Sequence, residues 1–292
     1  MEKEKTTVFD NINPEVLEKV KSLRLIDDEL MTVVFSGNIK TTELLLKILL
    51  NRDDLKVTKS MTQLEKHNLF GKSVKLDIVA EDLFKQEYNI EIQRAEKGSG
   101  GRRIRYHQAM IDSHTLQKQE DTEFLPNLYI IFILEHDIFN NDEAIYRVVK
   151  HLDVKNSDGE YLKYDDGCNI MYINGDYRGD NPLGKLMHDF STPNADEMYY
   201  DELAEKVRYH KQDSEGVKVV SKIVEEYGDE RAAAALQQGI QQGIQQGTQQ
   251  KAIEGAINLL KMDKLSPEEI AQAQGIPLEK VLELQKEIAV HA

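Results

Sequence analysis

The sequence has little cysteine. Cys168 stands alone among 292 residues, so no disulfide can form within the chain and a reducing compartment is expected. Long apolar runs are also missing. The longest strongly apolar run, Leu128–Leu134, is far too short to cross a bilayer. The start, MEKEKTTVFD, lacks the apolar core of a secretory signal. A soluble, cytoplasmic protein with no membrane partner is therefore expected. Positive charge is in deficit. A net charge of −15 argues against a generally adhesive nucleic-acid binder. Zinc-type spacing is absent: His107 and His114 can share a helix face, but there is no HxH or CxxC. What remains is ordinary for a globular chain. The hydrophobic content is 40%, and the length suits one large domain or two.

The most informative stretch is Lys75–Gln93, KLDIVAEDLFKQEYNIEIQ. It reads as two strands around a turn. Val74, Leu76, Ile78 and Ala80 alternate with Lys75 and Asp77, and Tyr88, Ile90 and Ile92 alternate with Asn89, Glu91 and Gln93. Residues two apart in a strand share a face. Each apolar set is therefore expected on one face, with Glu91 and Gln93 together on the other. A turn centred near Phe84 sets Asp77 opposite Glu91, with Cβ atoms about 4.5–5.5 Å apart. Two carboxylates that close repel unless a cation lies between them. Mg²⁺ suits such a place, with Mn²⁺ as a substitute, because it takes carboxylate and carbonyl oxygens and keeps several waters. Taken alone, D…ExQ reads as a surface hairpin with a solvated acidic face, because Asp and Glu are common; the apolar strands that hold the carboxylates rigid, and the basic stretch after them, shift the balance.

A basic stretch follows at once. Between Arg94 and Lys118 lie Arg94, Lys97, Arg102, Arg103, Arg105 and Lys118 against Glu96 and Asp112. Basic residues beside paired carboxylates suggest a phosphate-bearing substrate held next to a metal. The flanking elements can be read in order. Pro14–Phe35 reads as a helix capped by Asn13, and Gly37 and Asn38 break it. A helix from about Thr41 to Asn51, capped by Thr41 or Thr42, carries Glu43 in its first turn. There a carboxylate favours the helix dipole; its functional alternative is to face the same metal as Asp77 and Glu91. Leu55–Leu69 reads as an edge strand, Ser99–Gly101 as a loop, and Arg102–Gln119 as a helix presenting Arg102, Arg105 and Tyr106. Leu128–Leu134 reads as a buried central strand. Asp142–Lys150 fits a strand or a short helix, residues 156–159 a turn, and Asn169–Ile173 a strand. Leu183–Phe190, Asp196–Gln212 and Gly216–Tyr227 read as helices.

Glu43, Asp77, the Glu91-Ile92-Gln93 run and an Arg-Tyr helix together resemble the PD-(D/E)xK nuclease superfamily. More narrowly, the chain resembles its family of transposases, also called recombination-promoting nucleases. YINGDYRG from Tyr172, LGKLMHDF from Leu183 and MYYDELAE from Met198 are similar to segments of that family. The resemblance implies an α/β fold: a restriction-endonuclease-like mixed sheet flanked by helices, with an α-rich extension and a helical C-terminal tail. It implies a nuclease-like core over 1–140, the extension over 141–230 and the tail over 231–292. It also implies a metal-dependent DNA endonuclease of recombination or transposition, with DNA as partner. Asp77, Glu91 and the Ile92 carbonyl would hold Mg²⁺, Glu43 would join them, and Arg102, Arg105 and Tyr106 would bind DNA phosphates. Gln93 departs from the superfamily pattern, in which a Lys stands two residues after the Glu. Gln cannot accept a proton at neutral pH, but it can orient a water. Leu76 likewise stands where a Pro precedes the Asp. The alternative is a non-catalytic DNA-binding or assembly protein that keeps the fold.

The tail repeats with a period of four: ALQQ, GIQQ, GIQQ, GTQQ over 235–250. It reads either as a flexible linker or as a helix whose glycine stripe admits a second helix, as in a homo-oligomer. Leu265–Ile288 reads as a helical hairpin with a Ser266–Glu269 capping box. Its second helix carries Glu279, Glu283 and Glu287 against Lys280 and Lys286. A recognition helix should be basic, so a protein-contact hairpin is the better reading.

Overall fold

The computed structural model describes residues 12–94 and 100–290. Residues 1–11, with which the expected core begins, lie outside these, as do Glu96 and Lys97 of the basic stretch and Ser99 of the expected loop. The chain divides into two compact units, with the boundary between Glu225 and Glu226.

The first unit is built on a mixed sheet. Its strands are β1 (Val57–Lys66), β2 (Val74–Asp82), β3 (Glu87–Gln93), β4 (Leu128–Leu134), β5 (Ile145–Arg147) and β8 (Cys168–Asn174). The spatial order is β1-β2-β3-β4-β8-β5. β1, β2 and β3 are antiparallel, β4 runs parallel to β3 and to β8, and β5 closes the far edge antiparallel. β1 is the edge strand read from its loose alternation, and β4 lies inside the sheet as its unbroken apolar run required. β6 (His151–Lys155) and β7 (Tyr161–Lys163) form a separate hairpin around the expected turn, where Gly159 has φ +82°. The sheet continues past residue 140, the limit read from the sequence, because the Cys168–Asn174 strand pairs with β4 along its whole length.

Helices cover both faces. On one lie α1 (Pro14–Ser22), α2 (Asp28–Phe35), α3 (Ile39–Leu50), α5 (Pro182–Ser191) and α6 (Asp201–Gln212), packed on Ile78, Ala80, Tyr88, Ile90, Ile92, Ile131 and Ile133. On the other lies α4 (Gly101–Thr115), whose Ile104, Met110 and Ile111 meet Leu128, Ile130, Phe132 and Leu134. The single helix expected over Pro14–Phe35 is two. Asp27 breaks it: its Oδ2 accepts the backbone N–H of Arg24 at 2.7 Å, a local bond that competes with helix continuation. In α3, Thr41 and Thr42 lie within the helix instead of capping it. Both hydroxyls donate to the Asn38 carbonyl, and Asn38 is the residue that precedes the helix.

α7 (Ser214–Met262) begins in the first unit, and the Gln/Gly repeat forms part of it. The linker alternative does not hold, because 235–250 is helical throughout; Leu236, Ile240 and Ile244 are exposed along it. In the second unit the last turns of α7 pack with α8 (Pro267–Gln274) and α9 (Leu278–Val290) around Ala256, Ile270, Val281 and Leu284. The Ser266–Glu269 capping box is present, and Gly275 ends α8 at φ +64°.

Candidate active site

The β2–β3 ladder runs from Glu81↔Glu87 to Ile78↔Ile90. One further step along it sets Asp77 opposite Glu91, the register the turn position demanded. There the strands part, and Asp77 Oδ2 accepts the backbone N–H of Ile92 at 2.8 Å. β2 changes face at the same point. Val74 and Leu76 belong to the α4-side core, but Ile78 and Ala80 belong to the opposite one. The expectation of four apolar residues on one face is therefore corrected. β1 switches alongside. Ser60 and Thr62 donate to carbonyls of Phe35 and Thr32 on the α2 side, while Leu64 packs on the α4 side. Gln63, between them, takes the left-handed conformation at φ +54°. Asp77 sits at this twist, where an ordinary strand would have committed it to one face.

Glu91 is fully buried at 0% exposure, so the solvated-face alternative is excluded. α4 covers it. Arg103 Nη2 lies 3.1 Å from Glu91 Oε2, and His107 Nδ1 lies 3.5 Å from Oε1. The second contact is too poor for a hydrogen bond, so Oε1 and Nδ1 are both buried without a hydrogen-bond partner. Burial raises the Glu91 carboxyl, but His107 and Arg103 outweigh it and hold the group below its ordinary value. Burial, and then the charge of Glu91, push the Asp77 carboxyl well above the usual carboxylate range. Asp28, in the first turn of α2, adds to that rise. Gln93 lies in register with Leu134, as Glu91 does with Phe132, so both occupy the α4 side; Gln93 is half-buried.

Other expected site residues lie apart from this pair. Glu43 takes Lys47 at 2.8 Å, Lys56 at 3.1 Å and the backbone N–H of Val57 at 3.1 Å. Burial raises its carboxyl, but these three partners hold it below its ordinary value. Val57 pairs with Asp82, five residues along β2 from Asp77, which is roughly 16 Å of strand. The expectation that Glu43 meets Asp77 and Glu91 is therefore corrected: its i,i+4 Lys47 and the start of β1 hold it at the far end. Tyr106 is also engaged elsewhere. Its hydroxyl donates to the Lys72 carbonyl and accepts from Asn68 Nδ2 at 3.1 Å. Arg102 and Arg105 are exposed on α4.

Sequence reading missed Arg103, His107 and Asp28. The signal for the first two was present: Arg103 and His107 are four apart and so share a helix face. A four-member ionic network was also missed. Arg24 and Arg94 each contact Asp27 and Glu135, with Arg24–Glu135 at 2.8 Å and Arg94–Asp27 at 2.8 Å. It ties the α1–α2 link to the ends of β3 and β4, beside Gln93. Among the described residues, no three His, Cys, Asp or Glu side chains gather as a metal-holding group.

This sheet and its flanking helices define a PD-(D/E)XK nuclease-like α/β fold. Residues 37–175 match the family described as PD-(D/E)XK nuclease family transposase, which bears out the resemblance over the segment that holds the hairpin and α4. No curated protein and no solved structure matches the chain. No described helix is long and apolar enough to cross a membrane.

Proposed function

We propose that the chain is a metal-dependent DNA endonuclease that hydrolyses phosphodiesters in recombination or transposition. One observation carries the reading. The Asp77 carboxyl, held on the Ile92 N–H at the twist of β2, lies close enough to Glu91 for that charge to raise it, and Glu91 Oε1 is buried with no hydrogen-bond partner. A buried carboxylate oxygen without a donor is unfavourable unless a cation meets it. The donor set is all oxygen: Asp77, Glu91 and the Ile92 carbonyl. That chemistry fits Mg²⁺ or Mn²⁺, which complete their shells with water and need no third acidic side chain. A bound divalent ion would polarise a phosphoryl oxygen and lower the pKa of a coordinated water. The chain's own residues do the rest. Gln93 orients a water through its paired donor and acceptor. Arg102 and Arg105 hold flanking phosphates. Tyr106 supports α4 through Lys72 and Asn68, and it does not bind phosphate directly. The free thiol of Cys168 agrees with a cytoplasmic protein. The exposed Leu236, Ile240 and Ile244 stripe supports self-association through the tail.

Conversion of supercoiled plasmid to nicked or linear forms with Mg²⁺ or Mn²⁺ tests the reading. Wild type should cut and Asp77→Asn should not. A specific observation favours a second reading, a DNA-binding protein without cleavage. The Arg103 guanidinium already meets the Glu91 carboxylate at 3.1 Å, with His107 beside it, and Gln93 is neutral. Plasmid left intact with both ions, but retarded on a gel, selects this second reading.

A further inference from the structure

The β1–β2 loop, residues 67–73, presents two large apolar side chains to solvent. Leu69 is 90% exposed and Phe70 is 98% exposed. The loop that carries them is tied down. Asn68 accepts the Phe70 N–H at 3.0 Å and takes the Ser73 hydroxyl on its own N–H at 3.1 Å. Tyr106 of α4 bonds both Asn68 and the Lys72 carbonyl, and His114 Nε2 lies 3.1 Å from the His67 carbonyl. Four side chains thus fasten the base of a turn whose tip buries nothing. Exposing a Leu and a Phe forgoes about 1.5–3 kcal/mol each of burial. The fastening keeps them from collapsing onto the protein's own surface.

The surroundings identify the occupant. Residues 64–75 carry Lys66, Lys72 and Lys75 against Glu65, which faces Lys75 across the strands. Arg102 and Arg105 lie one turn back from, and next to, Tyr106 on the helix that clamps the loop. In a chain of net charge −15 this is a locally basic edge with an apolar tip. Two copies of so acidic a chain repel each other through their like net charge. A nucleic-acid duplex supplies both halves, phosphates for the cations and a base stack for the apolar tip. We propose that Leu69 and Phe70 form a wedge that enters between base pairs of duplex DNA. This proposal rests on the DNA reading above. Lys72, Arg102 and Arg105 neutralise the flanking phosphates. Only Lys75 and Leu76 separate Val74, where the loop rejoins β2, from Asp77, so about 10 Å of strand lies between them. The base of the wedge thus lies on the same strand as Asp77, and an unstacked or mismatched step is the favoured substrate.

The chain has no tryptophan, so Phe70→Trp gives a single reporter at the tip. Phe84→Trp gives a control at the β2–β3 turn, where Phe84 is 73% exposed. Full-length variants are titrated with a short duplex in chelator, so that cleavage plays no part. Stacking on bases should quench Phe70→Trp at saturation and leave Phe84→Trp bright. Leu69→Ser/Phe70→Ser, at sites where no burial is lost, should weaken binding about tenfold. Its log Kd against log salt slope should match wild type, because phosphate contacts remain. If wild type binds duplex but Phe70→Trp is not quenched and the double variant binds equally well, the wedge is overturned and the DNA reading stands. If wild type binds no DNA, both fall. A fall in solution mass on Leu69→Ser/Phe70→Ser with unchanged DNA affinity would assign the tip to a second copy of the chain and overturn the wedge.

Discussion

Asp77 Oδ2 accepts the backbone N–H of Ile92 at 2.8 Å, so the side chain of one strand binds the peptide that joins Glu91 to Ile92 on the next. That bond fixes Asp77 beside Glu91, and Arg103 of α4 offsets part of their repulsion. The Asp77 carboxyl is raised first by burial and then by Glu91. For an acid with a raised folded pKa, the unfolded chain loses its proton first. Metal-free stability should therefore fall as pH climbs from about 4, the unfolded value, through the raised folded one. Asp77→Asn should remove this slope and melt several degrees higher than wild type at pH 8 in chelator. The same variant should bind Mn²⁺ at least about tenfold more weakly by calorimetry. Equal Mn²⁺ affinity in both proteins would take Asp77 out of the proposed metal site.

Arg103 and His107 hold the Glu91 charge inside the protein. Arg103→Ala should lower stability by about 1–2 kcal/mol, discounted because the guanidinium is partly exposed. Glu91→Gln removes the charge that needs compensation. In a double-mutant cycle by denaturant unfolding, Arg103→Ala should then be nearly neutral on the Glu91→Gln background. Additive losses would show that Arg103 contributes by packing alone.

Gln93 shares the α4 side of β3 with Glu91 but cannot carry positive charge. Gln93→Ala should slow plasmid cleavage by about 100-fold, the scale of losing one aimed donor. Mn²⁺ affinity should stay near wild type. Gln93→Lys should retain or increase the rate. Full cleavage by Gln93→Ala would leave the residue a filler of the sheet surface.

Deleting Leu236–Ala292 should lower the mass measured by light scattering and preserve the fold of the sheet unit. The chain contacts that define that unit end at Glu225. An unchanged mass would remove self-association from the tail.

The hairpin register was legible because one number, the centre of a tight turn, sets every pair beyond it; Phe84 lies midway between Asp77 and Glu91. The change of face at Asp77 was not. Val74, Leu76, Ile78 and Ala80 alternate without a break, and period two cannot tell which of two buried faces a residue joins. The solvated-face alternative for Glu91 survives in the sequence for a related reason: its cover comes from α4, ten and more residues downstream. For Glu43 the sequence already offers Lys47, one helical turn on, as the partner that keeps it from the carboxylate pair. The Gln/Gly repeat stayed open because glycine disfavours a helix by about 1 kcal/mol each, and composition does not reveal what outweighs it.

The Arg24–Asp27–Arg94–Glu135 network bears on where this protein can be cut. Two of its four members come from before residue 37, where the family match starts. A fragment trimmed to that match would leave Arg94 and Glu135 facing each other without their partners. It would also uncover the sheet where Leu23, Leu25, Leu30 and Met31 now lie with no exposed surface. The matched segment is thus shorter than the segment that keeps this network and this cover, which begins no later than Leu23.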